Sequence, residues 1–340
     1  MKDRISCQEI TNRIKEIKTK RAELEGLIDA RNTGEALSVK TEISGRVEAL
    51  IKETEIIPGF LEQYKSQIDI LKQTGIVEEL SDDKLGIIGI DNKEYPIPTL
   101  REIRARVTPE KQELIDKKHE QGFSKLLLVP FGMSLGDLIE KYKKVLLKKK
   151  SEGKLFATDG TPLDLNENDP ANDWASWTNA DTEERLVYFP SKFDQNDHYG
   201  KTKKQMIDSG NPWQVILIED LPDLPAQNAG KTIGGRKQLE ANSSSIDYLN
   251  KMDEDEYQLE EGLTPEMWLV YAITNLQEKS QQIDDWQGQG KLCYLFGSYF
   301  PASGYVLYAY WYRDYSRAVL GSGTPTNRDS NSGARSSVKI

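Results

Sequence analysis

Cysteine and histidine are nearly missing from these 340 residues, with only Cys7 and Cys293, His119 and His198. A Cys-and-His zinc site draws four ligands at close spacing, and a disulfide framework needs several pairs, so neither is expected. Long apolar runs are missing as well. The longest worth naming, 126–131, falls far short of the roughly 20 residues of a membrane-spanning helix. The first 25 residues alternate Lys, Arg and Glu with isolated Ile and lack the apolar centre of a secretion signal. The cytoplasm is therefore the expected compartment, with surface display by some other route left open. There is no basic surplus either. Fifty-five Asp and Glu stand against 45 Lys and Arg, and the resulting charge of -10 repels phosphate backbones at long range. Nucleic acid is not an expected partner.

What is present is periodic at the N-terminal end. Ile10, Ile14, Ile17, Leu24 and Ile28 recur at spacings of four, three, seven and four, about three heptads on an otherwise charged helix. Asn32, Thr33 and Gly34 break that helix. Ile43, Val47 and Leu50 mark a second one, ended by Pro58 and Gly59. Leu61, Tyr64, Ile68 and Leu71 stripe a third, which stops near Gly75. Residues 1–75 are thus expected to form a helical, coiled-coil-like module. It either closes on itself as a hairpin or pairs between copies to make a homo-oligomer. Residues 76–119 mix short apolar pieces with Gly, Asp and Pro, as a connector with one small hairpin does.

From residue 120 strands and helices intermingle, so the expected fold class is α+β. A strand over 125–130 leads to a helix from about Ser134, whose end, 141–150, holds six Lys. Tyr142, Val145, Leu146 and Leu147 supply that helix with an inner face, and the lysines are a solvated outer one. The stretch 151–190 is irregular, anchored by Trp174, Trp177, Tyr188 and Phe189. Short helices are expected over 201–209, 238–250 and 265–279, the last opened by Thr264 as N-cap and Pro265 at its first position. Residues 215–218 form a core strand.

Signals for catalysis are weak. Glu219 and Asp220 end a strand as magnesium-binding carboxylates do, and Gly230, Lys231 and Thr232 are similar to the end of a phosphate-binding loop. Pro225, however, occupies the place of that loop's opening Gly and removes a backbone donor. A nucleotide-binding enzyme built on Glu219, Asp220 and Lys231 is the alternative reading. Asp164, Asn166, Asn168 and Asp169 offer alternating oxygens, as a calcium loop does. The sixth position lacks Gly and Ala175 replaces the closing Glu, so an EF-hand is excluded. A calcium-dependent, sugar-binding lectin using Asp164 and Asp169 is a further alternative, and no other cofactor is expected.

The C-terminal end is compositionally distinct. Between Cys293 and Tyr315, 23 positions carry ten aromatics, where the chain average of 9% would give about two. Alternation over 306–311 predicts a half-buried strand in which Tyr308 and Trp311 are core. Tyr312 and Tyr315 flank Arg313 and Asp314 and are expected at the surface. From Ser316 to Ile340 aromatics cease, and 13 of 25 residues are Ser, Thr, Gly or Ala. Tyr beside small polar residues is the composition of antibody contact loops. Ala334, Ser336, Val338 and Ile340 then fall on one face of a closing strand, which fixes the polar stretch at both ends.

An aromatic strand, a polar stretch from Tyr312 to Ser332, and a closing Gly333, Ala334 and Arg335 resemble the variable proteins of diversity-generating retroelements. Their C-terminal domain has a C-type lectin fold. The resemblance is strongest over about the last 40 residues. Extended back, it implies a lectin-like domain over 120–340 with a variable segment over about 305–340. In that family an error-prone reverse transcriptase randomises adenines. The resemblance implies that Tyr312, Asp314, Tyr315, Ser316, Val319, Gly321, Gly323, Thr324, Thr326, Asp329, Ser330 and Ser332 contact varied ligands, expected to be proteins, without catalysis. Sulfatase-modifying enzymes share the fold, but they need two active-site cysteines and this domain has only Cys293.

Overall fold

The computed structural model describes residues 7–30, 33–173, 175–288 and 290–340. Trp174 and Asn32, named above, lie outside the described residues, as does the side chain of Ile10. The chain divides into two compact units, residues 1–63 and residues 64–340.

In the first unit the helices Cys7–Asp29 and Thr33–Thr54 pack against each other as a hairpin. Arg46 pairs with Glu16 at 2.7 Å and Lys20 with Glu42 at 3.0 Å, the register of antiparallel neighbours. Ile17, Leu24 and Leu27 face the partner helix's side of the hairpin as half-buried residues, whereas Ile14 and Ile28 are exposed. The inner stripe is therefore offset by one residue at its end from the heptad spacing: Leu27, not Ile28, continues the spacing of three and four from Ile17. Thr33 and Gly34, expected in the break, open the second helix.

The second unit is α+β, and among the described residues the chain has nine α-helices in all. Residues 76–119 are more than a connector. Glu78–Glu79, Leu85–Ile88 and Glu94–Pro96 form a three-stranded antiparallel sheet. Two helices follow, each opened by a threonine whose hydroxyl accepts from the first turn: Thr99 before Leu100–Ala105, and Thr108 before Pro109–Glu120. Short polar pieces of this kind give little periodicity, and the local caps are what define them.

A four-stranded antiparallel sheet has the order Glu260–Gly262, Ser336–Lys339, Gln214–Glu219, Phe123–Val129. The larger sheet runs Ser332–Ala334, Leu292–Phe300, Tyr305–Tyr312, Arg317–Gly323, Ala171–Asp173, with Asp285–Trp286 and Val187–Tyr188 paired beside it. The helix Pro265–Lys279 is buried on all sides from Pro265 to Leu276. It packs against Leu135–Ser151, Phe123–Val129 and the strand Tyr305–Tyr312. An all-round apolar sequence such as 267–273 forms a central helix of this kind. Thr264 caps it by accepting from the Met267 N–H at 3.4 Å.

Two expectations are corrected here. The helix expected over 238–250 is confined to Ser245–Lys251, because Asn242 takes a left-handed φ of 74° and Ser244 forms a capping box with Asp247. The closing strand is not single. It splits at Arg335: Ser332–Ala334 runs parallel to Leu292–Phe300, and Ser336–Lys339 inserts antiparallel into the smaller sheet. Ser336–Lys339 has a strand on each side, whereas Ser332–Ala334 pairs with Leu292–Phe300 alone and has Leu224 and Ala241 packed near Gly333; residues 332–338 are all buried, and the expected one-faced alternation is absent.

Candidate ligand-binding surface

The strand Tyr305–Tyr312 has two unlike faces. Leu307, Ala309 and Trp311 point into the core with no exposure. Tyr308, Tyr310 and Tyr312 point the other way, their rings 6.1 and 5.8 Å apart in succession. Tyr315 extends the row, edge-on to Tyr312 at 4.6 Å. Trp286 stands beside it, 5.4 Å from Tyr310 and 4.8 Å from Tyr312. Each contact has the tilted or edge-to-face geometry that aromatic quadrupoles favour. Tyr308 is half-buried: it joins this row and also packs against the buried cluster that holds Tyr294 and Val306, so the expected core role is met in part.

Register explains the floor of this face. Tyr294 lies opposite Tyr308 across one strand pair, and Gly321 opposite Tyr308 across the other. A Cβ on Gly321 would stand 2.5 Å from the Tyr308 ring, so the ring covers the glycine. Val319, opposite Tyr310, is fully buried. The rings and a wall formed by residues 327–332 bound a groove of about 490 Å³, lined by Trp286, Leu292, Tyr294, Tyr308, Tyr310 and the wall. Burial pushes the phenols of Tyr308, Tyr310 and Tyr294 up, so the rings stay neutral donors at ordinary pH.

The wall is held by its main chain. The Pro325 carbonyl accepts from the Ile246 N–H at 3.2 Å, Asn327 from the Tyr294 hydroxyl at 3.3 Å, Asp329 from Asn242 at 3.1 Å, and Asn331 from Leu292 at 2.8 Å. Meanwhile Thr324, Thr326, Asn327, Asp329, Ser330 and Asn331 are exposed. A carbonyl acceptor does not depend on the side chain of its residue, so these four anchors are open to side-chain replacement. Side-chain ties are superimposed: Arg328 pairs with Asp247 at 2.7 Å, Thr324 donates to Asn327 at 2.8 Å, the Asp329 carboxylate accepts from the Asn331 N–H at 2.6 Å, and the Asn331 side chain accepts from Lys291 at 3.4 Å.

Beneath the aromatic row sit two adjacent buried carboxylates. Asp285 accepts from Arg313 Nε at 2.9 Å and fixes the tight turn Arg313–Tyr315 that carries Asp314 and Tyr315. Asp284 accepts from Arg335 at 2.5 Å and from the Trp268 indole at 2.8 Å. Its carbonyl also accepts from the Trp311 N–H at 2.9 Å. Burial pushes the Asp284 carboxyl up to about 6, against the pull of Arg335. Arg335 also donates to Pro222 O at 3.0 Å, at the point where the closing strand changes sheets.

Of the twelve expected contact residues, Tyr312, Asp314, Tyr315, Ser316, Gly323, Thr324, Thr326, Asp329 and Ser330 are exposed or half-buried on this side of the sheet or its loop. Asp314 is tied to Gln287 at 2.6 Å, and Ser316 takes a left-handed φ of 49° at the end of the turn. Val319, Gly321 and Ser332 are buried, because strand pairing and the tyrosine rings close over them. Val319 and Gly321 support the surface from beneath, and Ser332 lines the groove at the foot of its wall. Trp286, Tyr294, Tyr308 and Tyr310 were missing from the expected set. The spacing of two from Tyr308 to Tyr312 was the available signal.

The carboxylates of the rival sites are already engaged. Glu219 is engaged by Arg236 at 3.2 Å and by Gln238 at 2.9 Å, Asp220 pairs with Lys279 at 3.0 Å, and Lys231 and Thr232 are exposed at the start of the hairpin that carries Arg236, with the Lys231 N–H donating to Gln238 at 3.0 Å. Asp164 pairs with Lys150 at 2.7 Å, and Asp169 with Arg317. Each carboxylate already has its cation, so Asp164 and Asp169 do not fit a shared calcium ion. Among the described residues no three His, Cys, Asp or Glu side chains gather as a metal site would require. Among the described residues no helix is long and apolar enough to cross a membrane. Compared with known proteins, the chain matches no family model, no curated protein and no solved structure.

Proposed function

We propose that this chain is a non-enzymatic ligand-binding protein that grips varied, proteinaceous ligands in the tyrosine-lined groove and along the loop beside it. The observation that carries this reading is the division of labour in residues 324–331, whose main chain is bonded to the scaffold while their side chains face outward. Rigid rings supply contact area at low entropic cost, and the small polar residues supply adaptable hydrogen bonds. On this reading the chain is a variable protein of a diversity-generating retroelement. Residues 120–340 are its C-type lectin-like domain, and the N-terminal helices bring copies together, so that several weak sites act jointly. The exposed Ile14, Ile28 and Leu37 support such an association.

A displayed library randomised at Asp314, Tyr315, Thr324, Thr326, Asp329 and Ser330 tests the reading. Most members should fold, and some should bind an unrelated protein. Widespread misfolding, or a folded library that yields no binder, defeats it. The retroelement assignment has its own test: a near-copy of the DNA encoding residues 305–340, differing at adenines, beside a reverse-transcriptase gene.

A further inference from the structure

Lys203, Asp181 and Glu266 share no residue with the groove, and none of the three has any solvent exposure. Lys203 Nζ lies 2.5 Å from Asp181 Oδ2 and 2.9 Å from Glu266 Oε1. Phe131 and Tyr188, edge-on at 4.7 Å, wall the site, with the amine 5.4 and 5.9 Å from their ring centres. A buried lysine set against two carboxylates is an expensive arrangement if its only role is stability.

We propose that Lys203 and Asp181 join in a self-formed intramolecular isopeptide bond, with Glu266 carrying the protons. Four features converge on that chemistry. The amine and the carboxyl group are in contact in a dry site, where orientation has already been enforced. Asp181 Oδ2 accepts from the Leu135 N–H at 2.7 Å and Oδ1 from the Thr182 N–H at 3.0 Å, so backbone donors await the negative charge of a tetrahedral intermediate. Glu266 Oε1 is held by the Tyr188 hydroxyl at 2.7 Å. Glu266 Oε2 is buried without a hydrogen-bond partner, free to receive a proton.

The resting amine is charged: burial opposes the charge, but Glu266 and Asp181 beside it hold the Lys203 ammonium above the usual range. The sequence of steps follows. Lys203 passes one proton to Glu266, and its nitrogen attacks Asp181 Cγ, forming the C–N bond. The intermediate breaks one C–O bond, and the departing oxygen takes the proton held on Glu266 and a second from the nitrogen. The ammonium's three hydrogens end as one amide N–H and one water, Glu266 is again a carboxylate, and no oxidant or other reactant is consumed. The Met133 carbonyl, 2.8 Å from Nζ, remains to accept the amide N–H. The bond closes the segment 182–202, including Val187–Tyr188, into a covalent loop.

Intact-mass measurement of the folded full chain, incubated at neutral pH, decides the matter. The expected mass is lower than the sequence mass by one water, with a branched tryptic peptide joining Asp181 to Lys203. A folded Glu266→Gln chain should keep the sequence mass and yield separate peptides. An unshifted wild-type mass, or a water lost at any other position, overturns the proposal whether or not the variant folds. Cross-linking that persists in folded Glu266→Gln overturns the role given to Glu266.

Discussion

Residues 324–331 and 332–338 adjoin one another and are both rich in small polar side chains, yet the first run is mostly exposed and the second wholly buried. Ser330 faces solvent. Ser336, six residues on, donates to Glu260 at 2.5 Å in the interior. The difference lies in what each backbone pairs with. The loop lends its carbonyls to neighbours on one side only, whereas the closing strand is flanked by partners in two sheets and by the Asp284 to Arg335 pair. Composition does not decide whether a serine is recognition surface or core. What packs around its backbone does: Ser336 lies between two strands, and Ser332 pairs with one strand and accepts from the Asn242 N–H.

The contrast can be broken most severely at Arg335. Arg335→Ala should cost about 3–5 kcal/mol, because Asp284 is left as an uncompensated buried charge. Chemical denaturation of the variant measures this, and a loss below about 1 kcal/mol would show that the pair does not hold the two sheets together. Next in size is Gly321→Ala. The added Cβ must displace the Tyr308 ring, an overpacking cost of about 1–3 kcal/mol readable by the same method, with altered tyrosine fluorescence as the groove changes shape. An unperturbed variant would mean that the ring does not seat on the glycine.

Tyr312 and Tyr315 sharpen the comparison from the other side. Their joint replacement by Ala should lower stability by less than about 1 kcal/mol, since Tyr315 is 52% exposed and neither ring reaches the core. Affinity for a ligand selected on the wild-type surface should fall by a factor of about 30 or more, as for aromatic anchors elsewhere. Titration calorimetry and thermal melts on the same sample separate the two effects. The smallest change is expected for Thr326→Ala combined with Ser330→Ala, within about 0.5 kcal/mol of wild type. A larger loss would contradict main-chain control of the loop.

Local signals were legible in the sequence where short-range physics decides. Thr264 and Pro265 mark the start of a helix because capping is settled within four residues, and the helix Pro265–Lys279 follows. The tyrosine row was located, but its burial was legible only in part. Alternation places Tyr308 and Trp311 on opposite faces of one strand, and only the sheet's neighbours reveal how far each face is covered: Val306 and Tyr310, on the face of Tyr308, are buried too. The resemblance placed Val319 and Gly321 among the contact residues; their register against Tyr310 and Tyr308 buries them. Asp284 and Asp285 gave no signal at all. Their partners, Arg335 and Arg313, lie 51 and 28 residues away, and nothing local announces such pairs.

The loop's carbonyl anchors fall at Pro325, Asn327, Asp329 and Asn331, every second residue, each matched to a fixed donor. Such a ruler is blind to side-chain identity but sensitive to count. A single inserted or deleted codon within 325–331 would shift every later anchor by one place and set the following strand out of phase with both sheets. A mutational process that rewrites bases while conserving length would therefore find this segment permissive, and one that slips during copying would find it among the least forgiving in the chain.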